Sequence, residues 1–195
     1  VNIPFSETSP NLIAIAGPNG AGKSTFYLSY LGPVGLRFVN ADVTALEMGL
    51  DAYEAAALAE TTRRGLFEEG QSFVFETVFS DPVGEKLAFL EEAVAAGYSV
   101  VLCFVGVSQP EVSEERVAIR VSKGGHDVPA DKLLARYPRV MENLGRALVR
   151  LPLVLVYDND DLREPHRFCL AMGYGKVLET VDPVPEWVRA AMPGG

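Results

Sequence analysis

The nine residues from Gly17 to Thr25 read G-P-N-G-A-G-K-S-T, and they constrain the chain more than any other stretch. They satisfy the pattern G-x-x-x-x-G-K-[S/T], with Gly17, Gly22, Lys23 and Ser24 at its fixed positions. The flanks have the character the pattern needs. Leu12-Ile13-Ala14-Ile15-Ala16 is a continuous apolar run, as expected of a strand buried on both faces of a parallel sheet, and Ser24 to Leu31 contains no Pro or Gly and can start a helix. A loop of this kind points successive backbone N–H groups into one concavity at a helix N-terminus, a ready-made cradle for a polyphosphate. We therefore expect Gly17, Pro18, Asn19, Gly20, Ala21, Gly22, Lys23, Ser24 and Thr25 to bind nucleotide. Lys23 would reach the β- and γ-phosphates and the Ser24 hydroxyl would ligate Mg²⁺.

Beyond the loop, strand-like and helix-like stretches alternate. Leu36 to Asn40, Ser72 to Thr77, Tyr98 to Val107 and Leu153 to Tyr157 read as strands. Asp51 to Glu69, Lys86 to Ala96, Glu111 to Ser122 and Pro129 to Arg150 read as helices, and Leu170 to Thr180 as a short edge strand or hairpin. Glu186 to Met192 reads as a last helical turn. The alternation predicts an α/β P-loop NTPase three-layer fold: a five-stranded, mainly parallel sheet, helices on both faces and a helical lid. In such sheets ligands bind beyond the carboxyl ends of the strands, which gathers the glycine-rich loop, Asp42, Glu76, Thr77 and Asp158 on one rim.

The 195 residues suit a single domain spanning 1–195, with a lid segment at about 111–145. A net charge of −9 argues against a broad nucleic-acid or membrane surface, so an anionic ligand must be held by local basic groups. No apolar run reaches membrane-spanning length and Val1 to Pro10 lacks a basic region followed by an apolar one, which predicts a cytoplasmic location. Cys103 and Cys169 sit in apolar runs as small hydrophobes, with neither zinc spacing nor a disulfide expected.

Several side chains on the rim suit phosphoryl transfer, in which the protein mainly positions the nucleophile and neutralises charge. Asp42 either activates an acceptor hydroxyl or caps the helix that follows it. Glu76 either orients Mg²⁺ through water or grips the acceptor together with Thr77, the alternative being a solvated strand end. Arg116 and Arg120 are four apart and share a helical face, Lys123 follows, and Arg136 and Arg139 lie on the return helix. Around the Gly124-Gly125 hinge this cluster suits a lid that folds guanidinium groups over a polyphosphate, against the alternative of solvated helix residues. His126, with His166 far away in sequence, suits loop ordering or phosphate contact rather than a metal site.

Taken together, the chain resembles the zeta toxin family of P-loop kinases, and most of all its bacterial branch often labelled predicted ABC-type ATPase. The resemblance rests on G-P-N-G-A-G-K-S-T, F-V-N-A-D at Phe38 to Asp42, F-E-T at Phe75 to Thr77 and A-G-Y at Ala96 to Tyr98. It rests further on R-V-x-x-R-V-x-x-G-G-H-x-V-P from Arg116 to Pro129, R-Y-P-R and E-N-L within Arg136 to Leu144, and V-Y-D-N at Val156 to Asn159. It implies a kinase that uses ATP or GTP with Mg²⁺ and phosphorylates a hydroxyl of UDP-N-acetylglucosamine or a related nucleotide sugar, with an antitoxin protein as partner. On that likeness Lys23, Asp42, Arg116 and Arg120 are catalytic, Asp42 as the base and Arg120 standing in for a second lid arginine whose place falls near His126. Glu76, Thr77, His126, Arg136 and Arg139 then bind substrate. The alternative is a P-loop ATPase or nucleotide switch without a small-molecule acceptor; neither an N-K-x-D guanine motif nor an L-S-G-G-Q signature occurs.

Overall fold

The fold is that of a computed structural model, which describes residues 3–122 and 129–194. In chain order it runs β1 (Asn11–Ala16), α1 (Lys23–Phe26), β2 (Arg37–Val39), α2 (Ala41–Met48), α3 (Ala52–Glu68), β3 (Phe73–Thr77), α4 (Glu85–Ala95) and β4 (Ser99–Gly106). It continues with α5 (Pro110–Ser122), α6 (Ala130–Arg150), β5 (Val154–Asp158), β6 (Arg167–Gly173), β7 (Lys176–Thr180) and α7 (Glu186–Ala191). One sheet takes all the strands in the order β2-β3-β1-β4-β5-β6-β7. The first five are mutually parallel, and β6 and β7 are antiparallel additions.

The sheet thus has seven strands rather than five. Two more arise because the region expected as an edge strand or hairpin begins earlier, at Arg167, and folds back over Tyr174-Gly175. Both turn residues have positive φ, 49° and 75°, the backbone of a two-residue hairpin turn whose twist matches the strands. Tyr-Gly is a weak signal for that turn beside Asn-Gly, which is why the pattern is hard to see.

Side-chain alternation along the strands divides the core into two layers. Leu12, Ala14, Ala16, Phe73, Phe75, Leu102 and Phe104 face α3, α4, α6 and α7, meeting Leu66, Leu90, Val140, Leu144, Leu148 and Trp187. Ile13, Ile15, Val74, Val101, Cys103 and Val105 face the other way, onto Phe26, Leu31, Val112 and Tyr137. Both cysteines are buried and free, and burial pushes the Cys103 thiol well above its ordinary value.

Two local departures from the expected elements have physical causes. The helix after the glycine-rich loop is α-helical only to Phe26; the backbone then widens into a five-residue π-helical turn at Tyr27–Leu31 and tightens into a 3₁₀ turn at Gly32–Val34. Pro33 offers no N–H to continue the ladder, and Tyr27 stacks on Phe38 of β2 at 3.6 Å. The short α2 is capped by Asn40, whose side chain accepts from the N–H groups of Asp42 and Val43. Asp42 is therefore not the cap. Among the described residues no helix is long and apolar enough to cross a membrane.

Asp51 begins α3 with a capping box, accepting from Tyr53 N and Glu54 N while Glu54 accepts from Asp51 N. Asp51→Ala is expected to cost about 1 kcal/mol, seen as a lower urea midpoint at unchanged slope.

Candidate functional site

Parallel pairing fixes the site. Ala16 at the end of β1 is in register with Thr77 of β3 and Phe104 of β4, so the loop that leaves β1 lies between two other strand ends. The loop comes so close to β4 that a Cβ on Gly17 would lie 1.9 Å from the Val105 carbonyl oxygen. Gly22, at φ 93° just before α1, has the same constraint: a Cβ there would lie 2.5 Å from Asn159 Nδ2.

Asn159 and His166 hold the loop from behind. Asn159 Nδ2 donates to Ala21 O at 2.7 Å, while Asn159 Oδ1 accepts from His166 N at 3.0 Å. His166 Nε2 lies 3.2 Å from Gly22 O. A carbonyl can only accept, so Nε2 carries a proton. The ring packs edge-on against Phe26 and Tyr30. Burial holds the His166 pKa below its ordinary value; the hydrogen bond to Gly22 works against this, and the nearby Arg116 charge works with it.

On the other side of the loop, Glu76 joins three segments. Its Oε2 accepts from Ser24 Oγ at 2.9 Å and from Asn40 Nδ2 at 2.7 Å, and its Oε1 lies 3.9 Å from Lys23 Nζ. Lys23 Nζ also donates to Pro18 O at 2.9 Å and is only 6% exposed. Ser24 and Glu76 set two hard oxygen donors side by side. That suits Mg²⁺, which takes few protein ligands and keeps waters and phosphates for the rest. Among the described residues no group of three or more His, Cys, Asp and Glu side chains could form a full metal cage.

Two cavities open at this rim. The larger, about 680 Å³, is lined by Asn19, Gly20, Gly22, Lys23, Ser24 and Thr25 of the loop, by Asp42 and Glu76, by Tyr53, and by Arg116, Lys132 and Arg136. The smaller, about 210 Å³, is lined by Asn40, Asp42, Glu60, Arg63, Glu76, Thr77 and Lys86 among others. Asp42 and Glu76 belong to both.

The predicted site residues accordingly fall in several places. Lys23, Ser24, Asp42, Glu76, Arg116 and Arg136 share the larger cavity, while Thr77 lines the smaller one and accepts from Phe79 N at 3.2 Å. Arg116 Nη2 donates to Asp160 O at 3.0 Å, and its Nη1 is buried with no hydrogen-bond partner. Arg139 is half-buried with a buried, unpartnered Nε, and lines neither cavity. His126 and the side chain of Arg120 lie outside the described residues. Asp158, expected on the rim, is occupied elsewhere: its carboxylate accepts from Trp187 Nε1 at 3.1 Å and Arg167 Nη2 at 3.4 Å. The sequence reasoning passed over Lys132, although it lies one helical turn from Arg136, and over Asn40, Asn159 and His166, which act through backbone contacts that no spacing reveals.

The zeta toxin family model matches residues 49–167. The chain belongs to the zeta toxin family. No curated protein matches the sequence. Among solved structures, a protein of Chloroflexus aurantiacus is 24% identical over 67% of this chain and 80% of its own, with a TM-score of 0.52. A chain of the AvrRxo1-ORF1:-ORF2 structure with ATP is 18% identical over 97% of this chain, TM-score 0.70, and the present chain spans 65% of its length. A chain of the PezAT toxin-antitoxin system of Streptococcus pneumoniae is 17% identical over 96% of this chain and 86% of its own, TM-score 0.58. These likenesses are of fold: the zeta toxin member has the α/β P-loop kinase architecture.

Two outcomes follow for the support behind the loop. Asn159→Ala strands Ala21 O and His166 N and is expected to cost about 1 to 3 kcal/mol in chemical denaturation. Because the His166 pKa is depressed in the fold, the unfolded chain binds more protons just below its ordinary value of 6.5, and stability falls as pH drops from there towards the folded pKa. The urea midpoint of His166→Gln should therefore fall less between pH 7 and pH 5 than that of the parent.

Proposed function

We propose that the chain is an ATP-dependent small-molecule kinase that transfers the γ-phosphate to an acceptor hydroxyl, with Asp42 as the general base. The observation that carries the proposal is the position of Asp42. It lines both the cavity walled by the phosphate-binding loop and a second, smaller cavity. A water-activating ATPase has no need of that second space; an acceptor does. ATP is the favoured nucleotide on the likeness to the ATP-containing AvrRxo1 structure, with GTP as the other candidate.

In this proposal the loop N–H groups and Lys23 hold the β- and γ-phosphates. Ser24 directly, and Glu76 through water, would hold Mg²⁺, which supplies charge neutralisation on the phosphoryl group when bound. Asp42 takes the acceptor's hydroxyl proton as that oxygen bonds to the γ-phosphorus; the bond from the γ-phosphorus to the bridging oxygen breaks, and ADP leaves. Arg116, joined by Arg120 from the same helix, stabilises the charge that develops. Residues 111–145, comprising most of α5, α6 as far as Gly145 and the segment between them that carries His126, serve as a lid, and Arg136 and Lys132 approach the ligands from α6. Thr77 positions the acceptor from the floor of the smaller cavity. A nucleotide sugar of the UDP-N-acetylglucosamine kind is the acceptor that family membership suggests, and an antitoxin protein the corresponding partner, since the PezAT and AvrRxo1 structures are themselves two-component assemblies.

Asp42→Asn should lower phosphoryl transfer about 10²- to 10⁴-fold while nucleotide affinity stays within about twofold. Lys23→Ala should weaken nucleotide binding itself. The measurement is single-turnover transfer from labelled ATP to a panel of alcohols. Label found only as free phosphate, whatever alcohol is present, would replace the kinase by the ATPase or nucleotide switch.

A further inference from the structure

Asp42, Glu76 and Thr77 account for only part of the smaller cavity. One face of α3, formed by Ala56, Ala59, Glu60 and Arg63 at helical spacing, makes up another wall, and Lys86 of α4 faces it. The two alanines leave the space open, and the three charged residues decide what can fill it.

Arg63 is 5% exposed. Its guanidinium carbon sits 4.9 Å from the Phe75 ring centroid and 4.8 Å from that of Phe89, so the group packs against both rings of a T-shaped aromatic pair whose centroids are 5.9 Å apart. Of its donors, Nη2 pairs with Glu60 Oε2, and Nε is buried with no partner. Lys86 Nζ donates to the same Glu60 oxygen at 2.6 Å. Burial works to raise the Glu60 pKa, but hydrogen bonds from Lys86 and Arg63 outweigh it and hold the carboxyl below its usual range. Two cations thus share one carboxylate, and this wall of the cavity carries one positive charge in excess. Opposite in sign are Asp42 and Glu76, where the cavity meets the phosphate-binding cleft.

A buried guanidinium with donors to spare, fixed before any ligand arrives, is suited to an oxyanion. A neutral alcohol would leave the buried Arg63 Nε without an anionic partner. At about 210 Å³ the space is below the roughly 300 to 1,000 Å³ of sites for drug-sized ligands, so what enters it is compact. We infer that Arg63 and Lys86 form an oxyanion subsite, and that the acceptor is, in place of the larger nucleotide sugar that family membership suggests, a compact alcohol already bearing a phosphate or carboxylate group, its hydroxyl at Asp42 and its anion on this pair. The inference rests on the kinase proposal for the placement of the hydroxyl, but the anion subsite can be read out by binding alone.

The experiment fills the phosphate-binding loop with a non-hydrolysable ATP analogue and titrates the protein calorimetrically with glycerol 3-phosphate, glycerate and glycerol. The scaffold is constant, and the phosphate and carboxylate arms tell the two anions apart. At least one anion should bind about tenfold or more tighter than glycerol. That advantage should fall below about threefold in Arg63→Met and in Lys86→Met; the second variant replaces the less buried residue and stands if the first does not fold. Glycerol binding as well as both anions, no measurable binding of either anion, or an anion advantage that survives in the folded variants would overturn the inference. Transfer measured on the same panel separates the two claims. Phosphorylation without anion preference keeps the kinase and removes the subsite, whereas anion preference without any transfer keeps the subsite and removes the kinase.

Discussion

The Glu76 carboxylate is where the architecture of the site is decided, because it touches the helix leaving the phosphate-binding loop, the cap of α2 and the loop lysine at once. It lies at the end of β3, whose register against β1 places Glu76 beside Ile15 and Thr77 beside Ala16. Its side chain is only 12% exposed, so those partners replace the water it has lost. Each partner in turn has a second task. Asn40 caps α2 with its carbonyl oxygen while its amide reaches Glu76, so the start of the helix that carries Asp42 is tied to the loop by a single side chain. Moving any one of the three segments would leave a buried charge or an open helix end, and that cost is what makes the rim rigid.

The other side of the loop is held by different physics. Close approach to the loop backbone, by the Val105 backbone at Gly17 and by the Asn159 side chain at Gly22, excludes side chains and leaves polar atoms that must find partners. Asn159 and His166 supply them. The loop is therefore clamped between a charged network in front and a neutral hydrogen-bonded one behind. This division has a chemical logic. A positive charge on His166 would lie close to Arg116, so keeping the imidazole neutral by burial leaves the cationic work to groups that line the cleft.

How much of this was legible in the sequence depends on the range of the interaction. The phosphate-binding loop is a contiguous pattern, so its residues could be assigned from spacing, and the apolar runs of β1, β3, β4 and β5 declared a parallel sheet buried on both faces. For Asp42 the roles of base and helix cap look alike in a one-dimensional pattern; in the fold Asn40 takes the cap. Asp158 also ends a strand, yet its carboxylate is taken up by Trp187, 29 residues further on, and by Arg167. The hairpin of β6 and β7 turns on the left-handed backbone of Tyr174, a conformation that tyrosine does not advertise. Arg63 was hidden for a related reason: in a helix rich in Ala, Glu and Arg it resembles a solvated residue, and its burial depends on two phenylalanines from other elements.

The charge distribution ties these points to selectivity. The chain carries a net charge of −9, yet the larger cavity is lined by Lys23, Arg116, Lys132 and Arg136, and the smaller by Arg63 and Lys86. At physiological salt, fields from exposed charges fade over about 8 Å, so the acidic surface is screened for a small ligand that has entered the cleft but not for an extended polyanion that must lie along it. A compact phosphate-bearing molecule meets cations at contact distance, where partial burial weakens screening. A nucleic acid or an anionic bilayer meets mostly like charge. The same −9 that would make a poor general phosphate binder is therefore compatible with a good selective one, provided the cations are sequestered in concavities. Arg63, buried against the T-shaped pair of Phe75 and Phe89, is a clear instance of that arrangement among the described residues.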